Sequence, residues 1–140
     1  MTFFLNIISY ESSIFLKYIK KIRVSGSEGE LGIYPRHVHF LTSLKPGLLY
    51  ILDKNAKEKY FYISKGILEV TPTVITVLVD IAICSTTMNE DNLLAEKQDI
   101  ENKIKSNMKD SDINKFKKTL FEIILKLNIL EIMKKSRLKN

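Results

Sequence analysis

The pattern in this sequence most typical of a ligand-binding loop is a set of three glycines, Gly26, Gly29 and Gly32. A dinucleotide-binding loop needs a strand, then G-x-G-x-x-G, then a helix, and a P-loop needs Gly-Lys-Ser/Thr. Here the glycine spacing differs, Pro35 follows where a helix would have to begin, and no Gly-Lys-Ser/Thr is present. Glu28 and Glu30 lie inside the loop and would repel a phosphate group. We therefore interpret the segment as a tight, exposed loop between two strands.

Two histidines, one cysteine and one isolated aspartate are the other candidates for chemistry. On a strand, His37 and His39 would share one face, as two metal ligands must, but no cysteine or acidic residue lies near enough in sequence to complete a site. Cys84 has no neighbouring base to activate its thiol, and Asp80 stands alone between apolar residues. The sequence therefore predicts no metal, no cofactor and no catalytic residues, and it does not indicate an enzyme.

The net charge of +6 on 140 residues comes from 22 basic and 16 acidic side chains. This length fits one domain, or one small domain with an appendage. Nineteen of the basic residues are lysine and three are arginine, and isoleucine also occurs 19 times. Because lysine and isoleucine both have A/T-rich codons, genome composition is sufficient to explain the charge. Proteins that recognise nucleic acid favour arginine, whose guanidinium group makes two parallel hydrogen bonds to a base or a phosphate.

Composition also excludes several classes of protein. A hydrophobic fraction of 45% is too high for a disordered chain, and no apolar run approaches the ~18 residues of a membrane span. Residues 1–10 are apolar but have no basic residues before them, so we interpret them as a strand and not a secretory signal. With Cys84 alone, no intrachain disulfide forms, and a reducing compartment is expected. Secreted disulfide scaffolds, membrane-spanning proteins and zinc ribbons are excluded.

The composition changes near residue 86. All five glycines and all three prolines precede residue 73, so the first part is rich in turns and the last part is free to be helical. In the first part, alternating or β-branched apolar residues predict strands at residues 21–25, 48–52, 60–64, 67–70 and 74–79. Residues 53–56 and 71–73 are predicted hairpin turns. We expect a β-sandwich or barrel over residues 1–86.

Residues 87–140 are predicted to form two antiparallel helices, at residues 90–107 and 111–134. Thr87 and Glu90 fit a capping box for the first helix, and Asp110 or Ser111 is expected to cap the second. Two adjacent apolar stripes run along the second helix, which is wider than one partner helix requires. This face is therefore expected either to pack on the chain's own sandwich or to leave it and bind another subunit.

Several stretches resemble a known family. Residues 26–35, Gly-Ser-Glu-Gly-Glu-Leu-Gly-Ile-Tyr-Pro, are followed by His37, by Leu41-Thr42 and by Lys45-Pro46-Gly47. The likeness continues through residues 64–70, 76–82 and 129–135. Together they resemble the epsilon subunit of bacterial F-type ATP synthase over essentially the whole chain. The resemblance implies an α+β fold, with an N-terminal antiparallel β-sandwich followed by a C-terminal two-helix hairpin.

The resemblance implies a non-catalytic central-stalk subunit that rotates with the gamma subunit and the membrane c-ring. It implies peripheral placement at the cytoplasmic face of the bacterial inner membrane, and helices that can open and inhibit ATP hydrolysis by transient contact with the catalytic alpha and beta subunits. The implied c-ring contacts are Glu28, Glu30 and Arg36. The implied gamma contacts are His37, His39 and Thr42. The implied inhibitory contacts are Lys115, Lys117, Lys118 and Lys126.

The sequence departs from the family pattern in three places. Arg36 stands where glycine is usual, and His39 where proline is usual, so the contacts of this loop are expected to differ. Some members bind ATP through a Leu/Ile-Asp-x-x-Arg-Ala motif at the start of the first helix. Here Asn89 and Asn92 replace its aspartate and arginine, and we predict no ATP binding. Two other functions compete: a stand-alone basic sandwich that binds nucleic acid, and a small enzyme using His37, His39 or Cys84.

Overall fold

The structure, a computed structural model, describes residues 2–10, 12–26, 28–33, 39–106 and 109–138. The chain divides into two compact units, Met1–Ser85 and Thr86–Asn140. The first unit contains all the strands, and the second contains both α-helices. This division follows the loss of glycine and proline after residue 72, because turns are needed to reverse strands but interrupt helices.

Eight strands form the first unit: β1 (Phe3–Ser9), β2 (Ser12–Gly26), β3 (Gly29–Ile33), β4 (Phe40–Asp53), β5 (Glu58–Ile63), β6 (Gly66–Val70), β7 (Val74–Val79) and β8 (Ala82–Cys84). Their hydrogen-bonded order is β3-β2-β1-β7-β6-β4-β5-β8, with an additional pairing of β2 with β4. The pairs are antiparallel except β1 with β7, which is parallel. The predicted antiparallel sandwich is confirmed, with this one parallel pair as an addition.

The long strands β2 and β4 belong to both layers of the sandwich. The first part of β2 pairs with β1, and its last part pairs with β3 and β4. In the same way β4 pairs first with β6 and then with β5. Alternate residues point between the layers, and Leu5, Ile51, Ile63 and Leu68 are fully buried there. This period of two is the pattern from which the strands were predicted.

Asp53 shapes the predicted turn between β4 and β5. Its carboxylate accepts hydrogen bonds from the backbone N–H groups of Asn55 at 2.8 Å and Lys57 at 2.9 Å. Ala56, at φ 61°, closes the turn by donating its N–H to the Asp53 carbonyl. Burial opposes ionisation of Asp53, but the two backbone hydrogen bonds prevail and hold its pKa below the ordinary value.

The second unit is a pair of helices, α1 (Glu90–Lys105) and α2 (Asp110–Leu138). The capping box predicted from Thr87 is wrong, because residues 85–87 form a 3-10 turn and Asn89 caps α1. The Asn89 side chain accepts the N–H of Asn92 at 3.0 Å. Asp110 lies in the first turn of α2 and does not cap it, since the N–H groups of Asp112 and Ile113 bond to the Lys109 carbonyl.

The helices share a small apolar core of Leu93, Ile100, Ile123 and Leu130. Glu90 at the start of α1 forms an ion pair with Lys134 near the end of α2, as expected for antiparallel neighbours. Of the helices in the described part of the chain, neither is long and apolar enough to cross a membrane.

Candidate interaction surfaces

The β2–β3 turn carries two exposed carboxylates. Gly26 pairs with Gly29 and Ser25 pairs with Glu30, so the turn is tight. Gly29 has φ +130°, a backbone conformation that favours glycine. A side chain at Gly26 would lie 2.9 Å from a methyl group of Leu31. The glycines therefore shape a hairpin turn that holds Glu28 and Glu30 in solvent. The predicted exposed loop is wrong beyond this turn, because residues 29–33 pair with β2 as strand β3 and Ile33 is buried in the core.

The other residues implied for the two interfaces fall in different environments. Arg36 and His37 lie outside the described residues. His39 is exposed directly before β4, whereas Thr42 is half-buried and lies opposite the core residue Leu68 of β6. The outward-facing neighbour of Thr42 in β4 is Leu41, which is 67% exposed.

An apolar outer surface on β6, β7 and β4 was missed by the sequence reasoning. We define this apolar surface as Leu41, Ile67 and Leu78, which are 67%, 45% and 48% exposed. Ile67 lies directly opposite Leu78, and Leu78 lies beside Ile8 of β1. The sequence did contain a signal for this surface, because β6 and β7 both have apolar residues on both faces. A strand with one solvent-exposed face needs apolar residues only on the face that packs against the core.

A groove of about 630 Å³ lies beside this surface. Its shape depends on Gly66, because a Cβ there would lie 2.2 Å from the Leu78 carbonyl oxygen. The Ser64 hydroxyl accepts the N–H groups of Asp80 at 3.1 Å and Ile81 at 3.0 Å, which fixes the end of β7. Close strand contact and this double hydrogen bond give the apolar surface a rigid support.

A second aligned group crosses β2, β4 and β5. Arg23 is paired with Tyr50, and Tyr50 with Tyr60. The Arg23 guanidinium lies 4.6 Å from the Tyr50 ring centroid, and the two tyrosine rings are 5.3 Å apart. Glu58 accepts a hydrogen bond from the Tyr60 hydroxyl at 2.9 Å. Burial, together with a hydrogen bond to Glu58, raises the pKa of Tyr50 well above its ordinary value, so its hydroxyl stays protonated.

The lysines of α2 implied as inhibitory contacts differ in exposure. Lys115, Lys117 and Lys118 are exposed, whereas Lys126 is half-buried and interacts with another residue. Two large apolar side chains, Phe121 and Ile124, are 54% and 45% exposed on the same helix. The helix thus presents cations together with apolar side chains, in agreement with the wide apolar face read from the sequence.

The described residues contain no group of three or more His, Cys, Asp or Glu side chains that would hold a metal ion. Cys84 is half-buried on β8, opposite Phe61, and packs against the sandwich core. Asp80 is exposed in the turn after β7.

Comparison with known proteins identifies the family. The model of the ATP synthase delta/epsilon chain beta-sandwich domain matches residues 2–85. The chain belongs to this family, and the recognition made from the stretch at residues 26–35 is confirmed. It is a delta/epsilon-type subunit of the central stalk of ATP synthase, and it is not catalytic.

Two solved structures have the same fold. A chain of the Euglena gracilis mitochondrial ATP synthase, in a structure of OSCP, F1 and the c-ring, superposes with a TM-score of 0.70 at 18% identity. The match covers 96% of this chain and 81% of that one. A chain of the Tetrahymena thermophila mitochondrial ATP synthase central stalk and c-ring gives 0.54 at 16% identity, over 86% and 97% of the two chains. The fold class implied by the sequence is confirmed.

Proposed function

We propose that this chain is the rotor subunit that couples gamma to the c-ring in a bacterial proton-translocating ATP synthase, and that its helices restrain ATP hydrolysis. The observation that carries the proposal is the family match over the whole sandwich. In this role the subunit sits peripherally at the cytoplasmic face of the inner membrane, held there by the complex. No feature of the described surfaces favours nucleic acid, since the positive charge is chiefly lysine.

The β2–β3 turn is the proposed contact to the c-ring. Glu28 and Glu30 are exposed on a glycine-shaped hairpin, so they are able to meet a polar loop without rearrangement. Arg36, close by in sequence, is proposed to take part. Charged groups held at the rim of an interface set its register and specificity more than its affinity, which suits a contact that transmits rotation.

The apolar surface is the proposed contact to gamma. Leu41, Ile67 and Leu78 are large side chains that a rigid sheet holds in solvent, and exposed apolar groups of this kind mark interaction sites. The residues implied for this interface by the family pattern, His37, His39 and Thr42, flank Leu41 in sequence. Burying these side chains against an apolar partner stabilises the contact by about 25 cal/mol for each Å² of apolar surface removed from water.

Helix α2 is the proposed inhibitory element. Its 29 residues span about 43 Å at 1.5 Å per residue, so an opened hairpin would reach far from the sandwich. Lys115, Lys117 and Lys118, with Lys126, would offer positive charge to acidic surfaces of the catalytic subunits. Phe121 and Ile124 supply apolar contact in the same helix.

The test is a pull-down from detergent-solubilised membranes, followed by coupling measurements with the charge reversal Glu30→Lys. We expect the tagged chain to recover gamma and the c-ring. Because Glu30 is exposed, the free energy of unfolding of the variant should lie within about 0.5 kcal/mol of that of the parent. The complex that contains the variant should hydrolyse ATP without driving proton pumping. Glu96→Lys, on the exposed side of α1, is the matched control and should leave coupling intact. Recovery of nucleic acid in place of gamma would contradict the proposal.

A further inference from the structure

The ammonium groups of two lysines lie over one phenylalanine ring. The ring is at a place where the two layers of the sandwich contact each other but their strands are not paired. Phe15 of β2 and Phe61 of β5 pack edge to face, with centroids 5.9 Å apart. Lys17 Nζ lies 5.8 Å and Lys59 Nζ 5.4 Å from the Phe15 centroid. Cations over the face of a ring are attracted by its quadrupole. The ring thus holds two like charges beside each other at the rim of the core.

The β4–β5 turn adds two more lysines to this place. Lys54 and Lys57 are exposed in the turn, and the charges of Lys57 and Lys59 both act on Asp53. Asp53 itself is buried and its carboxylate is occupied by backbone N–H groups. We call this group the basic seam: Lys17, Lys54, Lys57 and Lys59.

The lysines of the basic seam form no ion pair among the described residues, although the Asp53 carboxylate interacts with the charges of Lys57 and Lys59. The ion pairs found in the described part of the chain lie in the helical unit, and none involves these four lysines. Glu58, the nearest carboxylate in sequence, accepts the Tyr60 hydroxyl. Four lysines around one buried carboxylate leave a net positive charge, so an external anion that approaches the seam is attracted.

A depression of about 410 Å³ adjoins the seam. Lys17, Lys54, Asn55 and Asp53 form its polar side, and its apolar side is formed by Phe4, Leu16 and Tyr18. One Asp53 carboxylate oxygen accepts the N–H groups of Asn55 and Lys57, and the lysines leave the site with a net positive charge. Leu16 and Tyr18 are 53% and 54% exposed, and the Phe4 and Tyr18 rings pack edge to face at 5.2 Å. A ligand that fills this depression and meets the seam therefore needs an apolar group next to negative charge.

Genome composition explains how many lysines the chain has but not where they lie. The exposed carboxylates Glu28 and Glu30 occupy the β2–β3 turn, near the pairing of Gly26 with Leu44. The basic seam lies near the pairing of Ile19 with Asp53, at the far end of β4. At about 3.3 Å per residue these places are roughly 30 Å of strand apart. Glu28 and Glu30 thus lie far along the strands from the basic seam.

We propose that the basic seam and its depression bind an acidic polypeptide segment that carries an apolar side chain beside its carboxylates. Separate lysine ammonium groups act as point charges and suit carboxylates that are spread along a chain. Proteins that recognise phosphates and bases favour arginine, because its planar guanidinium group makes two parallel hydrogen bonds. The apolar side of the depression contacts an apolar side chain of the segment, which adds specificity to the charge attraction. This inference does not depend on the proposed role in ATP synthase.

The test measures binding of the full chain to labelled poly(Glu,Tyr) and poly-Glu at low salt by fluorescence anisotropy. We expect poly(Glu,Tyr) to bind at least fivefold more tightly than poly-Glu. Changing the four seam lysines to Gln should weaken both at least tenfold. The matched control changes four other exposed lysines to Gln with the same loss of charge, and should weaken binding less than twofold: Lys45, Lys65, Lys105 and Lys109.

The double change Leu16→Ser and Tyr18→Ser tests the depression. It should abolish the preference for poly(Glu,Tyr) while leaving poly-Glu binding unchanged. If the fourfold seam variant fails to fold, the double change Lys54→Gln and Lys57→Gln, confined to an exposed turn, should still weaken binding at least threefold. Equal losses in seam and control variants would overturn the proposal. Tighter binding to a single-stranded oligonucleotide or to phosphatidylglycerol vesicles than to poly(Glu,Tyr) would overturn it as well.

Discussion

The sandwich and the helical hairpin differ most in how they are held together. The sandwich buries a cluster of 18 apolar residues among its described strands, and the hairpin cluster contains four. The sandwich has glycine-dependent close contacts, such as Gly66 against Leu78. The hairpin has the ion pairs, all on exposed side chains. Dense burial gives one fixed arrangement, whereas sparse burial and solvent-exposed ion pairs leave alternative arrangements close in free energy.

The largest expected effect is loss of a core side chain from the sandwich. Leu68→Ala should lower the free energy of unfolding of that unit by about 3 kcal/mol, because a fully buried leucine leaves a cavity. Ile100→Ala in the hairpin should leave the unfolding midpoint of the sandwich unchanged. Circular dichroism at strand and helix wavelengths during urea unfolding separates the two. A common, single transition shifted equally by both variants would contradict the comparison.

Two matched surface substitutions, one in each unit, test which unit binds gamma. Leu78 in the sandwich and Leu94 in α1 are 48% and 46% exposed. Leu78→Glu should weaken binding to gamma at least tenfold, because it places a charge in the apolar surface. Leu94→Glu should change it less than twofold, as measured by calorimetric titration with gamma. Equal weakening by both would mean that the apolar surface is not the gamma contact.

Asp53 gives the sandwich a pH dependence. Its pKa is lowered in the folded state, so its contribution is present above the unfolded pKa, near 4, and is lost as the pH falls through the folded pKa. Asp53→Asn should therefore cost about 1–2 kcal/mol at pH 7, with the difference from the parent vanishing in acid. Urea unfolding at pH 7 and at a series of pH values below 4 checks this, and a difference that does not shrink as the pH falls through that range would contradict it.

The smallest expected effect concerns the ion pair between the helices. Glu90→Gln removes the partner of Lys134, and because both side chains are about half exposed, the cost should be about 0.5 kcal/mol. The effect should shrink at 1 M salt, where charges are screened within about 3 Å. Asp99→Asn, which breaks a pair within α1, is the control for charge loss. A cost above about 2 kcal/mol would mean that the hairpin is as rigid as the sandwich.

The strands with local signals were predicted, whereas β3, β8 and the first parts of β2 and β4 were not. Alternation at residues 60–64 and the turn residues at 53–56 fix faces and reversals without help from distant contacts. The cap of α1 was misplaced because Thr87 and Asn89 are both good caps, and only the 3-10 turn at residues 85–87 decides between them. The end of α2 was placed four residues early, since residues 135–137 are polar and continue the helix without apolar spacing.

The interaction surfaces were less accessible to sequence reasoning. Glu28 and Glu30 were implied as contacts by the family resemblance, and the structure has them exposed. Leu41, Ile67 and Leu78 were missed because an apolar residue in a strand is assigned to the core by default, and its exposure depends on which neighbouring strands cover it. The basic seam was missed for a similar reason, since Lys17 and Lys59 meet over Phe15 only through the sandwich topology.

The most direct test replaces the native subunit in an ATP synthase complex with the full chain or with residues 1–86, and measures ATP hydrolysis and ATP-driven proton pumping together. The account predicts that both forms assemble with gamma and restore pumping, because the sandwich carries the coupling surfaces. It also predicts that hydrolysis is restrained by the full chain and released by the truncated one. Equal hydrolysis rates with the two forms over a range of ATP concentrations, or no pumping with residues 1–86, would contradict it.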